Sequence, residues 1–218
     1  MMSRTSKPLV KEPDNIRLAM LGMVDGNDQA SEPSILQLLQ QVIDVAGKVD
    51  ILVNNSVLRP MGDWTSSGAD FAKSMEVNAT GLFLITRAFG EHMVQRGQGS
   101  IINVGSTYGM VGPDYTHYVG LGWGVSPDYF VHKGGMLQLT RFAAAKFGPH
   151  GVRVNAISPG GLFNNQDPRF LERYNARTFL GRMANETDLK GVVVLLASDA
   201  SAYITGANIP VDGGYTCK

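Results

Sequence analysis

Ser106, Tyr129 and Lys133 are the residues of this chain whose types and spacing could do chemistry. Tyr129 and Lys133 stand four apart in PDYFVHKGGMLQLTRFAAAKF, which reads as a helix, so they share one face a single turn from each other. A phenol alone titrates near pH ~10, too high for ready proton exchange at neutrality, and an ammonium beside it favours the phenolate. That pairing suits general acid–base work on an oxygen. Ser106 closes the apolar run Ile101-Ile102-Asn103-Val104 and adds a hydroxyl. The stretch from Gly99 to Gly161 therefore reads as a proton-transfer site, which needs a hydride donor and a substrate to complete it.

The elements that must position these groups follow from hydrophobic periodicity. Residues 16–24 read as a strand closed by Asp25-Gly26-Asn27-Asp28, after a polar, Pro-containing tail over 1–15. Ser34 is expected to cap the helix ILQLLQQVIDVAG, with Gly47 as its stop. Asp50 to Val53 and Ile101 to Val104 are short continuous apolar runs, as parallel strands covered on both faces should be. One long helix is expected from Ala69 to about Gln95, and the Tyr129 helix from Pro127 or Asp128 to Phe147. Val152 to Ser158 is a strand, residues 164–182 a polar excursion with a short helix, and Thr187 the cap of a helix ending at Ala197. Ala207 to Val211 is the last strand. Alternating strands and helices define an α/β fold with a mainly parallel, Rossmann-like sheet and helices on both faces, in one domain over residues 16–218. Ligands bind such sheets at the carboxyl ends of the strands, here Asp25, Asn54-Asn55-Ser56, Ser106 and Pro159-Gly160.

Composition narrows the functional classes. Nineteen basic and nineteen acidic residues balance over 218 residues, which gives no electrostatic case for nucleic acid or an anionic membrane. The one cysteine, Cys217, excludes an internal disulfide framework, and the four histidines show no metal-ligand spacing. No segment reaches the ~20 apolar residues of a membrane span, so a soluble, cytoplasmic protein without a metal is the expectation.

Several motifs, in order, resemble the short-chain dehydrogenase/reductase family. Asn54-Asn55-Ser56-Val57 after DILV is similar to the family's Asn-Asn-Ala-Gly turn, and Asn78 in VNATG to its helix asparagine. Ser106 in INVGS matches its serine, Tyr129 and Lys133 its Tyr-x-x-x-Lys, and NAISPG the turn under the nicotinamide. The resemblance implies NAD or NADP as cofactor and a carbonyl or secondary alcohol as substrate. It implies Tyr129 as the general acid or base, with Lys133 favouring the phenolate and holding the nicotinamide ribose. Ser106 would bond the substrate oxygen, and Asn78 would hold a water linking Lys133 to solvent. Asp25 would contact the adenine, Asn55 and Ser56 would line the adenosine side, and Leu162 beyond Pro159-Gly160 would meet the carboxamide. It also implies a homodimer or homotetramer built on the helices that carry Asn78 and Tyr129.

The chain departs from the family's pattern twice. The Gly-x-x-x-Gly-x-Gly turn that admits the pyrophosphate onto a helix N-terminus is absent, because Gly22, Gly26 and Gly47 are the glycines before residue 60. The fold thus reads as N-terminally truncated, which would expose the edge of the Asn54 strand unless residues 16–24 pair there or a second subunit covers it. An impaired homologue or an interaction subunit without effective dinucleotide binding is then the competing function, and a 3-oxoacyl-carrier-protein reductase-like enzyme another. The second departure is the 23-position gap from Ser106 to Tyr129, whose surplus resembles a branch found with bacterial surface-sugar enzymes. It points to a sugar or nucleotide-sugar substrate, with Tyr115, Tyr118 and Trp123 as either a sugar-stacking wall or a hydrophobic plug.

Overall fold

The computed structural model describes residues 18–21 and 28–218. Five parallel strands follow one another across a single sheet: β1 (Leu18–Leu21), β2 (Ile51–Asn54), β3 (Gly99–Val104), β4 (Val152–Pro159) and β5 (Asn208–Val211). Every strand therefore ends at the same edge. β1 pairs with β2 in register, Leu18 opposite Ile51 and Leu21 opposite Asn54, so the backbone of residues 18–21 occupies the edge that the sequence left open. The 1–15 tail and Asp25 lie outside the described residues.

Alternation along the strands splits the core into two layers. Leu52, Ile101, Val152 and Val154 face α1 (Glu32–Ala46), α3 (Leu82–Arg96) and α4 (Pro127–Phe147), where Ile35, Phe89, Met93 and Phe147 close the packing. Ile51, Val53, Ile102 and Ile157 face the other way, against Leu196 of α6 (Lys190–Ala197). Helices thus cover both faces, three on one and α6 on the other.

Three sequence expectations change in detail. The cap of α1 is Ser31, whose side chain accepts from the Ser34 amide, and Pro33 sits in the first turn. Ser34 instead accepts from the Asp28 amide. The long helix begins as α2 (Gly68–Met75) behind a Ser67–Asp70 capping box, then widens into a π-helical segment over Glu76–Gly81 before α3. A π segment inside an α-helix frequently marks a functional position, and Asn78 lies in this one. Gly81 lets residue 29 pack closely on this segment, since a Cβ there would stand 2.5 Å from the Gln29 carbonyl oxygen. Thr187 does not cap α6, which starts at Lys190, and its hydroxyl donates to Asn185.

Candidate active site

The carboxyl edge of β3 and the first turns of α4 build the site. Beyond Val104 the chain turns through Gly105 to Ser106, which is 8% exposed, and its Oγ accepts from the Tyr108 amide at 3.2 Å. A 3-10 turn follows over Thr107–Gly109. Its Tyr108 ring stacks on Phe130 with centroids 4.5 Å apart and meets Tyr129 edge-on at 6.4 Å. Gly109 lies against α4 so closely that a Cβ would come 2.7 Å from the Lys133 carbonyl oxygen. The turn carrying Ser106 is thereby seated on the helix carrying Tyr129 and Lys133. Among the described residues Ser106 and Tyr129 share no hydrogen bond; the Tyr108 amide donates to Ser106 while its ring meets that of Tyr129.

Lys133 is 3% exposed, with Nζ 5.7 Å from the Tyr129 ring centroid and donating to the Val104 carbonyl at 2.5 Å. Burial pushes its ammonium down to about 8, helped by the charge of Arg59. An ammonium has three donors. Only one of them is engaged within the described residues, so two remain for hydroxyl acceptors such as those of a ribose. In this half the residues fit a dinucleotide.

Asn78, 3% exposed, grips the loop after β2. Its Oδ1 accepts from the Leu58 amide at 2.8 Å, while Nδ2 donates to the Leu58 carbonyl at 2.7 Å and to Ser74 at 3.0 Å. With Asn54, Asn55, Ser56, Leu82 and Met136 it lines a cavity of about 10 Å³, room for about one water. Among the described residues the Asn54 side chain bonds side chains and not backbone groups; it donates to Asn103, which donates to Thr140. That chain ties β2, β3 and α4 together beneath the site. Asn55 is exposed and Ser56 half-buried. Across the edge, Pro159 is buried, the Gly160 amide donates to the Val211 carbonyl at 3.0 Å, and Leu162 is 41% exposed.

Three residues around Tyr129 escaped the sequence reading. Arg59 stacks its guanidinium over the Tyr129 ring, 4.2 Å from the centroid. The Arg-Pro pair at a strand's carboxyl end was the available signal. Asp128 and His132, one helical turn apart, are 0% and 2% exposed, and their side-chain polar atoms have no hydrogen-bond partner. Burial holds the His132 imidazole neutral, down to about 4, with its ring edge-on to Tyr129 at 5.1 Å.

The long loop before α4 is an aromatic plug. Tyr118 packs on Trp123 and Phe170, and its hydroxyl meets that of Tyr108 at 2.6 Å. His117, 2% exposed, sits among Phe170, Tyr174 and Tyr215, which joins the loop to α5 (Pro168–Arg177) and the C-terminal segment. Tyr118 thus serves as packing, while Tyr115 and Trp123 are 63% and 47% exposed. Among the described residues no group of His, Cys, Asp or Glu is arranged to hold a metal, and no helix is long and apolar enough to cross a membrane.

A parallel sheet with helices on both faces, and a Ser, Tyr and Lys at its carboxyl edge, define a Rossmann-like oxidoreductase class. The model of the family described as enoyl-(acyl carrier protein) reductase matches residues 24–216. The galactitol 2-dehydrogenase (L-tagatose-forming) of Cereibacter sphaeroides is 35% identical over 182 residues, 79% of this chain and 68% of that protein. An L-rhamnose 1-dehydrogenase (NAD(P)(+)) of a Sphingomonas species is 33% identical, over 86% of this chain and 73% of that one. An NAD+-bound short-chain dehydrogenase of Leptospira borgpetersenii superposes with a TM-score of 0.80 at 30% identity, covering 91% and 82% of the two chains. The chain belongs to the short-chain dehydrogenase/reductase family. It is an oxidoreductase of CH–OH groups whose cofactor is NAD or NADP.

Proposed function

We propose that this chain interconverts a secondary alcohol and a carbonyl on a small polyhydroxylated molecule, with Tyr129 as the acid/base. The observation that carries the reading is Lys133: a buried ammonium one turn from Tyr129, with two donors unengaged. The dinucleotide, when bound, supplies or accepts the hydride. In the reducing direction Tyr129 Oη gives its proton to the substrate oxygen, and in the oxidising direction it takes that proton back. Ser106 Oγ orients the same oxygen, and Lys133 holds the ribose beside the phenol. The water-sized cavity at Asn78 supports the relay role of that asparagine, replenishing the proton from solvent.

On the cofactor side, Asn55 and Ser56 line the adenosine and Pro159, Gly160 and Leu162 flank the nicotinamide. Asp25 keeps its adenine role as an expectation. The sugar and alcohol dehydrogenases among the relatives favour a polyol or sugar-like substrate over an acyl-carrier thioester. Phe142 at 67% and Val131 at 52% exposure are two exposed apolar side chains about three turns apart on α4, which supports pairing of two copies into a homodimer or homotetramer through this helix.

The experiment is a titration of NADH and NADPH followed by intrinsic fluorescence, with turnover measured on Tyr129→Phe. Binding of either nucleotide with turnover lost in the variant is expected. Binding of neither at millimolar concentration would leave the impaired-homologue reading, and turnover retained by Tyr129→Phe would remove the acid/base assignment.

A further inference from the structure

The backbone of Arg59 is held from both sides. The residue before it, Leu58, has both backbone groups bonded to the buried Asn78 side chain, at 2.8 and 2.7 Å. The residue after it is Pro60, whose ring fixes its own φ and restricts Arg59 to extended backbone. The guanidinium then lies over the Tyr129 ring at 4.2 Å. Among the described residues it meets no carboxylate and donates to no carbonyl. Arg87, Arg96, Arg169 and Arg182 differ, since each pairs with an acidic side chain. Its charge nevertheless reaches the centre of the site, adding to the burial that lowers the pKa values of Lys133 and His132.

An exposed, preorganised and unpaired guanidinium beside the general acid has a chemical use. We infer that Arg59 is a specificity-determining residue that binds a carboxylate on the substrate, so that the preferred substrate class is a small hydroxy acid or oxo acid. A substrate whose reacting oxygen lies against Tyr129 Oη and Ser106 Oγ must extend past the ring that Arg59 covers. A guanidinium's planar fork matches a carboxylate through two parallel hydrogen bonds. One such fork suits a singly charged planar anion better than a phosphate ester, which would call for a second cation. The acidic residue adjoining Tyr129 does not oppose such a ligand at the surface, because Asp128 is fully buried. This inference rests on the reading of Tyr129 as the group facing substrate.

The test uses the full chain with saturating NAD(P)+, which accepts the hydride as each alcohol is oxidised, and three probes: gluconate, galactitol as a neutral polyol of equal length, and a hexitol phosphate. Affinities are measured by calorimetry, turnover in parallel, for wild type, Arg59→Gln and Arg59→Lys. Gluconate should bind wild type at least about tenfold more tightly than galactitol. Arg59→Gln should weaken gluconate on the order of 10- to 100-fold more than it weakens galactitol, the range expected for a hydrogen-bonded charge pair. Arg59→Lys should fall between, since it keeps the charge and loses the fork.

Equal losses for gluconate and galactitol would overturn the inference and leave Arg59 acting through Tyr129 alone. Absence of a gluconate preference in wild type would overturn it too, as would tighter Arg59-dependent binding of the phosphate probe. Arg59-dependent binding of gluconate without turnover of any probe would uphold the anion site while counting against Tyr129 as the group that faces the reacting oxygen. Turnover of galactitol with no gluconate binding would do the reverse.

Discussion

Replacing Lys133 by methionine should stabilise the protein near neutral pH while abolishing its turnover. Burial lowers the ammonium from its ordinary 10.5 to about 8. At about 1.4 kcal/mol per tenfold change in proton affinity, the folded state is about 3 kcal/mol less stable with the charge present than with it absent. Methionine fills the channel of the aliphatic stem and carries no charge, but it leaves the Val104 carbonyl unpaired, at a cost of about 1–3 kcal/mol. The net gain at pH 7 is then about 1 kcal/mol.

The pH dependence is the sharper quantity. Unfolded lysine keeps its proton up to about pH 10.5 and the folded residue only to about 8, so within that window the unfolded chain binds more protons. Wild-type stability must therefore rise from pH 8 to 10.5, and that of Lys133→Met must not rise from this source. Urea unfolding of both proteins, without nucleotide, should show their difference moving by about 3 kcal/mol across the window and changing sign. Subtraction removes the buried tyrosines, which titrate alike in both chains. A difference that stays flat from pH 7 to 10.5 would refute a buried, charge-strained Lys133.

Two further outcomes follow from the packing. Asn78→Ala removes three hydrogen bonds and leaves both Leu58 backbone groups unpaired. A loss of about 2–3 kcal/mol is expected, or roughly 4–12 °C in Tm for a chain of this size; a loss below about 0.5 kcal/mol would mean the clamp is dispensable. Phe142→Glu places a charge at the most exposed apolar side chain of α4, and sedimentation equilibrium should find the assembly dissociated. An unchanged mass would move the interface elsewhere.

Sequence reading succeeded where one residue type had one structural meaning. The continuous apolar runs of β2, β3 and β4 mark strands buried on both faces, whereas the roles of Ser106, Tyr129, Lys133 and Asn78 rest on spacing and family resemblance and await the experiments above. It failed where tertiary contacts decide. The apolar pattern of Phe71, Met75, Leu82, Ile85 and Phe89 runs through the π segment without a break, so nothing local announces the widening at Asn78. Ser31 and Ser34 are both good caps, and Pro33 decides between them, since proline is tolerated in a helix's first turn. Nothing local in the sequence sets Arg153 apart from a surface charge. It is half-buried and donates to the Leu196 and Ser198 carbonyls and to Ser201, supplying a cation to the end of α6, a helix with no basic residue in its last turn. Arg59 was missed for the same kind of reason, because its position depends on Asn78, 19 residues onward, and on Tyr129, 70 residues onward.

The two halves of the site are held by separate means, and kinetics can tell them apart. Tyr129, Lys133 and the Ser106 turn are fixed by β3, α4 and the Asn54–Asn103–Thr140 chain, all within the described residues. The glycine-rich turn that holds pyrophosphate in the family has no counterpart in the sequence between β1 and α1, where Gly22 and Gly26 are the only glycines. Interactions with the dinucleotide phosphates are made equally before and during the chemical step, so a deficit there weakens uniform binding. It should raise KM for the nucleotide and leave kcat near that of the family's chemistry. A defect in the acid/base half would instead lower kcat at saturating nucleotide. A high nucleotide KM with ordinary kcat therefore identifies a working enzyme with a weak cofactor grip, whereas a low kcat at saturation would place the fault at Tyr129 and Lys133, against the geometry found there.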